Sequence, residues 1–176
     1  MNAINTHSQR ILLVDDEELI LEGCRACLNN AGWHDVLTES DSRLVLSLLD
    51  REEVDVIVLD LRMPNITGVE LLPQIVKQHP HIKVIVSTAN NEVETVVNCM
   101  KEGAYDYMVK PIDVKRLITS VKKAMEMRSL ANELSALKTY MFTDRLDHPE
   151  AFDGIVTGNK AMRAVFQYLE VLAATR

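Results

Sequence analysis

Four points along this chain place polar residues where they could do chemistry: the acid run Asp15-Asp16-Glu17-Glu18, Asp60 followed by Leu61-Arg62-Met63-Pro64, Thr88 before Ala89, and Lys110 before Pro111. Each follows a short apolar run. Carboxylates brought to one place repel one another unless a cation sits between them, so Asp15, Asp16 and Asp60 read as oxygen donors for a hard divalent ion. Each residue also has an ordinary structural use. Acids at a helix start favour the macrodipole and cap free N–H groups, an Asp opens a turn, and a strand-end lysine lays its stem along apolar surface. Residue type alone leaves both uses open; the elements that carry the residues must decide.

The central element is Val54-Asp55-Val56-Ile57-Val58-Leu59-Asp60, an almost unbroken β-branched run of the kind found in parallel strands buried on both faces. Before it, Ile11 to Val14 predicts a first strand, and Ile20, Cys24, Cys27 and Leu28 mark a helical face that Gly32 stops. Asp35 to Thr38 predicts a weaker second strand, with Leu44, Leu46, Leu48 and Leu49 on the helix that follows. After the central run, Gly68 with Val69, Leu71, Leu72, Ile75 and Val76 predicts a third helix that Pro73 should kink or delay. Lys83 to Ser87 is strand four. Asn91 and Glu94 look like an N-cap and its N3 partner, opening a stripe of Val93, Val96, Val97 and Met100 closed by Gly103. Asp106 to Val109 is strand five, and Asp113 can cap a fifth helix carrying Leu117, Ile118 and Val121. Five strand–helix alternations predict an α/β fold, a doubly wound parallel sheet with right-handed crossovers. All four polar points then fall at C-terminal strand ends, the edge where open α/β sheets bind ligands.

The 176 residues allow one good core and a tail. A net charge of -7 supplies no basic stripe to neutralise phosphates, which argues against a nucleic-acid surface in this segment. Residues 1–9 are polar and read as a disordered N-terminus, and neither a signal peptide nor a membrane-length run is visible, so the expected location is cytoplasmic. Cys24 and Cys27 spell C-x-x-C on a helical stripe, where small buried hydrophobes are expected rather than a redox pair. The histidines show no metal-ligand spacing with the cysteines.

Taken together, Asp15-Asp16, Asp60 with Met63-Pro64 and Gly68, Thr88-Ala89, Tyr107 and Lys110-Pro111 resemble the receiver domain of two-component response regulators, over residues 10–125. The resemblance implies a flavodoxin-like (CheY-like) five-stranded sheet in the order 2-1-3-4-5, with the site at the switch point between strands one and three. It implies that Asp60 is the phosphoacceptor, attacking a phosphohistidine on a sensor histidine kinase to form an aspartyl phosphate. A carboxylate is a poor nucleophile toward an anionic donor, so charge must first be cancelled. By the same resemblance, Mg²⁺ does this, held by Asp16, Asp60 and the main-chain carbonyl of Arg62, with Asp15 close by or acting through water. Lys110 would pair with one phosphoryl oxygen and the Thr88 hydroxyl would donate to a second, leaving Tyr107 free to turn inward. This pair would shift a pre-existing equilibrium and remodel the face of helix four, strand five and helix five, a candidate homodimer surface. Tyr107 reads equally as a half-buried strand aromatic. The resemblance also implies a cis Lys110-Pro111 bond, and that Arg62 and Asn90 set how fast water reaches the phosphoryl group.

Past Asp113 no helix stop occurs before Tyr140, and Met127, Leu130, Leu134, Leu137 and Met141 follow spacings of three and four. This seam of about two heptads makes residues 126–151 a helical linker, with coiled-coil dimerisation preferred over a helix folded back on its own domain. A polar break spans Thr143 to Ala151. The stretch from Phe152 to Met162 then resembles the opening of the AAA+ ATPase module of NtrC-like, sigma-54-dependent activators, so residues 152–176 read as the start of that module. Gly158-Asn159-Lys160 lacks the spacing of a phosphate-binding loop, so no ATP hydrolysis is expected. Contacts with DNA and sigma-54 RNA polymerase would need regions outside this sequence, and no membrane partner is expected. Three rival functions remain. An Asp-nucleophile phosphohydrolase would want a second acid two positions past Asp60, where Arg62 stands. An FMN-binding module would want hydroxyls and glycines after strand one, where four acids stand. A degenerate receiver used only as a dimerisation scaffold would not need the complete set of Asp15, Asp16, Asp60, Thr88 and Lys110.

Overall fold

The computed structural model describes residues 9–89, 93–142 and 149–152, with 155, 162, 165 and 166, and the backbone alone at 93, 135–142, 149 and 150. The expectations for residues 1–8, Asn90, Asn91, the side chains of Leu137 and Met141, and most of 152–176 lie outside the described residues. Five parallel strands, β1 (Ile11–Val14), β2 (Val36–Glu39), β3 (Val56–Asp60), β4 (Lys83–Thr88) and β5 (Asp106–Val109), stand in the order β2-β1-β3-β4-β5. The helices between and after them are α1 (Glu18–Asn30), α2 (Val45–Leu49), α3 (Gly68–Gln78), α4 (Val93–Lys101) and α5 (Val114–Phe142). None of the described helices is long and apolar enough to cross a membrane.

Side chains of a strand alternate between its faces, and here both faces are covered. Leu12, Val14, Ile57, Leu59, Val84 and Val86 point to one layer, with Val45 and Leu49 of α2, Leu71, Leu72 and Ile75 of α3 and Cys99 of α4. Ile11, Leu13, Val56, Val58, Ile85 and Met108 point to the other, with Leu21 and Leu28 of α1 and Leu117, Val121, Ala124 and Met125 of α5. This is why the strands read as continuous apolar runs. Pairing puts Val14 beside Leu59, Asp60 beside Ser87 and Thr88 beside Val109, so the four polar points share one edge of the sheet.

Local signals account for most boundaries. Gly32 and Gly103 end α1 and α4 at φ +103, a conformation that costs glycine nothing. Thr67 and Glu70 form a capping box at the start of α3. The Asp113 carboxylate accepts the Arg116 amide at 2.8 Å at the start of α5.

The structure departs from the sequence reading in several places. Pro73 does not delay α3, which begins at Gly68; it removes one hydrogen bond from a helix fixed by its cap and by buried Leu71, Leu72 and Ile75. β2 runs from Val36 to Glu39, one residue later than expected, and β3 begins at Val56. Asp55, just before β3, donates its amide to Arg10 O at 3.0 Å and accepts the Lys83 amide on its carbonyl at 2.9 Å, and its carboxylate accepts the Arg10 amide and Arg128 Nε, each at 3.2 Å. Leu44 is exposed because a 3₁₀ turn over Ser42–Leu44 precedes α2 and rotates it out of phase with Val45 and Leu49. On α4 the buried residue is Cys99, while Val97 and Met100 of the helical stripe face outward. Cys24 and Cys27 are half-buried rather than fully buried.

The chain forms two compact units, residues 1–128 and 129–176. Described residues of the second include exposed Leu130 and Leu134 and a stacked pair, Phe152 and Phe166, with ring centroids 4.5 Å apart.

Candidate functional site

The site is built at the ends of β1, β3 and β5. Asp15 follows β1 and is buried, its Oδ1 accepting the Glu17 amide at 3.0 Å and its Oδ2 facing Lys110 Nζ at 2.8 Å. One oxygen thus fixes the turn that leads into α1, which has no side-chain cap of its own, and the other serves the charged site. Asp60 closes β3, also buried, with its Oδ2 3.0 Å from the same ammonium. Asp16 stands exposed at the rim, and Asp15, Asp16 and Asp60 each offer an oxygen within 4.8 Å of the others. Lys110 reaches them from the end of β5, where its amide donates to the Thr88 carbonyl at 2.8 Å and its bond to Pro111 is cis.

Charge explains the arrangement. Burial raises the Asp60 pKa above the ordinary carboxylate value, against the lowering effect of Lys110 and of the Arg62 amide, while Asp15 pushes it further up. Burial works against the Lys110 ammonium, but its hydrogen bonds to Asp15 and Asp60 prevail and its pKa is raised. Three carboxylates against one ammonium leave two excess negative charges, in a pocket of oxygen donors, which fits a hard dication such as Mg²⁺.

Gly68 fits the same corner. A Cβ there would lie 2.1 Å from the Asp60 main-chain oxygen, and the Gly68 amide donates to Leu61 O at 3.1 Å. Only glycine lets α3 begin directly against the strand end that carries Asp60.

Thr88 lies one position past Ser87, the β-partner of Asp60, and is buried, with its hydroxyl directed to its own Ala89 carbonyl at 3.3 Å. Tyr107 is apart from the acids, 42 % exposed on the edge strand β5. Arg62 is exposed in the loop between β3 and α3. Sequence reasoning gave no site role to Glu17, whose Oε1 lies 3.8 Å from Lys110 Nζ; its place in the acid run was the available signal. Beside Lys110, an apolar groove of about 300 Å³ between α1 and the start of α5 is lined by Leu19, Ile20, Cys24, Pro111 and Ile112 among others.

Comparison with known proteins agrees with this geometry. Residues 11–122 match the model of the response regulator receiver domain family. Over 175 residues the chain is 35 % identical to the alginate biosynthesis transcriptional regulatory protein AlgB of Pseudomonas aeruginosa, covering 99 % of this chain and 37 % of AlgB. It is 34 % identical over 113 residues to the DNA-binding transcriptional regulator NtrC of Klebsiella pneumoniae, covering 64 % of this chain and 24 % of that protein. The solution structure of the beryllofluoride-activated NtrC4 receiver domain dimer superposes with a TM-score of 0.64 at 36 % identity, over 68 % of this chain and 98 % of that one. The chain thus spans little more than a third of the length of AlgB and less of NtrC. With a family model covering the whole sheet and its site-bearing edge, the chain belongs to the response regulator receiver domain family.

Proposed function

We propose that this chain is the phosphorylation-controlled regulatory end of a sigma-54-dependent transcription activator, with Asp60 as the phosphoacceptor. One observation carries the reading: two buried carboxylates, Asp15 and Asp60, share one ammonium, with a third acid, Asp16, in reach at the rim. Such a cluster is costly to bury and serves no packing purpose that apolar residues would not serve better. It has the composition needed to bring an anionic phosphoryl group against a carboxylate.

In the reaction proposed, an Asp60 oxygen attacks phosphorus, the O–P bond forms and the P–N bond to the imidazole of a sensor histidine kinase breaks, returning the histidine. Lys110, already beside Asp60 Oδ2, pairs with a phosphoryl oxygen, and the Thr88 hydroxyl leaves its weak local partner for another. Mg²⁺, held by Asp16, Asp60 and the Arg62 carbonyl with Asp15 alongside, supplies charge neutralisation when bound. Tyr107, outward here, turns toward the space that Thr88 vacates.

The output is read at two surfaces. Val97, Met100, Tyr107 and Val109 leave exposed apolar area on α4 and β5, which suits a homodimer face. Met127, Leu130 and Leu134 are likewise exposed on α5, in keeping with residues 126–151 as a linker that pairs two receivers ahead of an AAA+ module starting at 152. The similarity to AlgB and NtrC supports attachment to a transcription activator, with DNA and sigma-54 RNA polymerase reached through that part and the cytoplasm as its place of work.

The test is intact mass after incubation with acetyl phosphate and Mg²⁺, on the wild type and on Asp60→Asn, with light scattering of the same samples. One Mg²⁺-dependent phosphoryl adduct absent from Asp60→Asn is expected, with a change in oligomeric mass. No adduct, or an adduct that persists without Asp60, would leave a receiver fold used as a dimerisation scaffold.

A further inference from the structure

The loop from Leu61 to Thr67 carries the main chain of Arg62 and joins Asp60 to α3. It is closed by the Gly68 amide on Leu61 O and by the Thr67–Glu70 capping box. At its centre is a sharper feature. The Ile66 amide reaches back to Pro64 O at 2.9 Å around Asn65, which has φ +68. A three-residue closure with positive φ at its middle is the rarer and strained form of this turn, and Asn tolerates it better than most residues.

A side chain from elsewhere in the fold spans that turn. Ser42, the first residue of the 3₁₀ turn before α2, is 2 % exposed. Its hydroxyl donates to Pro64 O at 2.7 Å and accepts the Ile66 amide at 3.1 Å, across 22 and 24 residues of sequence. One hydroxyl therefore ties both ends of the strained turn. Ser42 is buried while Pro64 and Asn65 of the turn are exposed, so removing the hydroxyl would leave Pro64 O and the Ile66 amide held only by each other and by solvent, without the tie to the rest of the fold.

We propose that Ser42 is a positioning residue for the phosphoacceptor site: by bracing the Pro64–Ile66 turn it fixes the backbone on which the Arg62 carbonyl is presented to the cation. This rests on the reading of Asp60 and Arg62 given above. Ser42 touches neither the cation nor the phosphoryl group; it acts as an outer hydrogen-bond partner through the loop backbone. Loss of such a partner costs about 10–100-fold in metal affinity in other sites, and a main-chain ligand two residues from the brace sits at the lower end, about tenfold.

The experiment is calorimetric Mg²⁺ titration of the 176-residue chain, with amide hydrogen exchange at Ile66, on wild type, Ser42→Ala and Asp41→Ala. Asp41→Ala is the control: it removes the cap of the same 3₁₀ turn, where the Asp41 carboxylate accepts the Arg43 amide, and leaves the Ser42 hydroxyl in place. Expected for Ser42→Ala are a Kd for Mg²⁺ about tenfold higher, faster exchange at Ile66, and an acetyl phosphate reaction restored toward wild type by excess Mg²⁺. Asp41→Ala should lose stability and keep the wild-type Kd. Should Ser42→Ala be too unstable to titrate, Ser42→Cys carries the same expectation, since its thiol is of similar size and a weak hydrogen-bonding group. If Ser42→Ala or Ser42→Cys binds Mg²⁺ as tightly as wild type, or if Asp41→Ala weakens binding equally, Ser42 is a structural residue only and the proposal is overturned. If the wild type itself binds no Mg²⁺, the reading of the site has failed and the proposal with it.

Discussion

Lys110 is the residue whose removal should report most directly on how the site is held. Its ammonium lies 2.8 Å from one buried carboxylate and 3.0 Å from another. At an effective dielectric near 20, each contact is worth about 6 kcal/mol of gross Coulomb energy. Much of that is offset by desolvation, because Lys110 is only 18 % exposed at its side chain. What remains when the cation is lost is repulsion between Asp15 and Asp60, whose oxygens lie within 4.8 Å, or about 3 kcal/mol on the same scale. Lys110→Met keeps the stem's bulk, so we expect a loss of about 2–4 kcal/mol near pH 7, close to the range for breaking a buried pair. The dependence on conditions is the sharper part. Asp60 has a raised pKa, so the folded state gains as pH falls through that value, and without Lys110 the same group titrates higher still. The penalty should therefore shrink as pH falls from neutrality through the raised Asp60 titration. It should also shrink with saturating Mg²⁺, which would relieve the same repulsion. Lys110 itself adds nothing to this slope, since its raised pKa keeps it charged until well above neutrality. The assay is urea unfolding followed by circular dichroism, wild type against variant, across pH and with and without Mg²⁺. A penalty under about 0.5 kcal/mol, or one indifferent to both pH and Mg²⁺, would refute the electrostatic account.

Other outcomes follow from the same geometry. Asp60→Asn removes a buried charge whose pKa is raised, so it should stabilise the fold by about 1–2 kcal/mol near neutral pH, with the advantage fading as pH falls through that pKa; thermal unfolding across pH measures both. Gly68→Ala drives a Cβ to 2.1 Å from the Asp60 backbone oxygen, and should cost about 1–3 kcal/mol in urea unfolding and slow acetyl phosphate labelling by displacing the loop. Burial, with Cys27 and Asp15 nearby, holds the Cys24 thiol up at about 11, against an ordinary 9.0. Cys24 should therefore alkylate about a hundredfold more slowly than a free thiol near neutral pH, by mass spectrometry of iodoacetamide-treated protein.

Much of the fold was legible because the inner strands β1, β3 and β4 feed both layers. Burial on two faces forces runs such as Ile57-Val58-Leu59, and runs alternating with helical stripes leave few topologies. On α4 the stripe marked the helix and left its burial open. Val93, Val96, Val97 and Met100 are apolar at helical spacing, yet Val97 and Met100 face outward and Cys99 is inside. Periodicity finds an apolar face and does not say whether this domain or another surface covers it.

By itself the sequence determined which residues carry charge and that Asp15, Asp60, Thr88 and Lys110 end their strands, since strand ends are set by local runs and their punctuation. Tertiary structure alone decided the contacts among them. The order β2-β1-β3-β4-β5 and its register put Lys110 between Asp15 and Asp60, and the same packing carried Ser42 to a turn 22 residues away. Those juxtapositions depend on how crossovers stack helices on a shared sheet. A hydroxyl or an ammonium has no local signature for a partner that only the assembled edge brings within 3 Å.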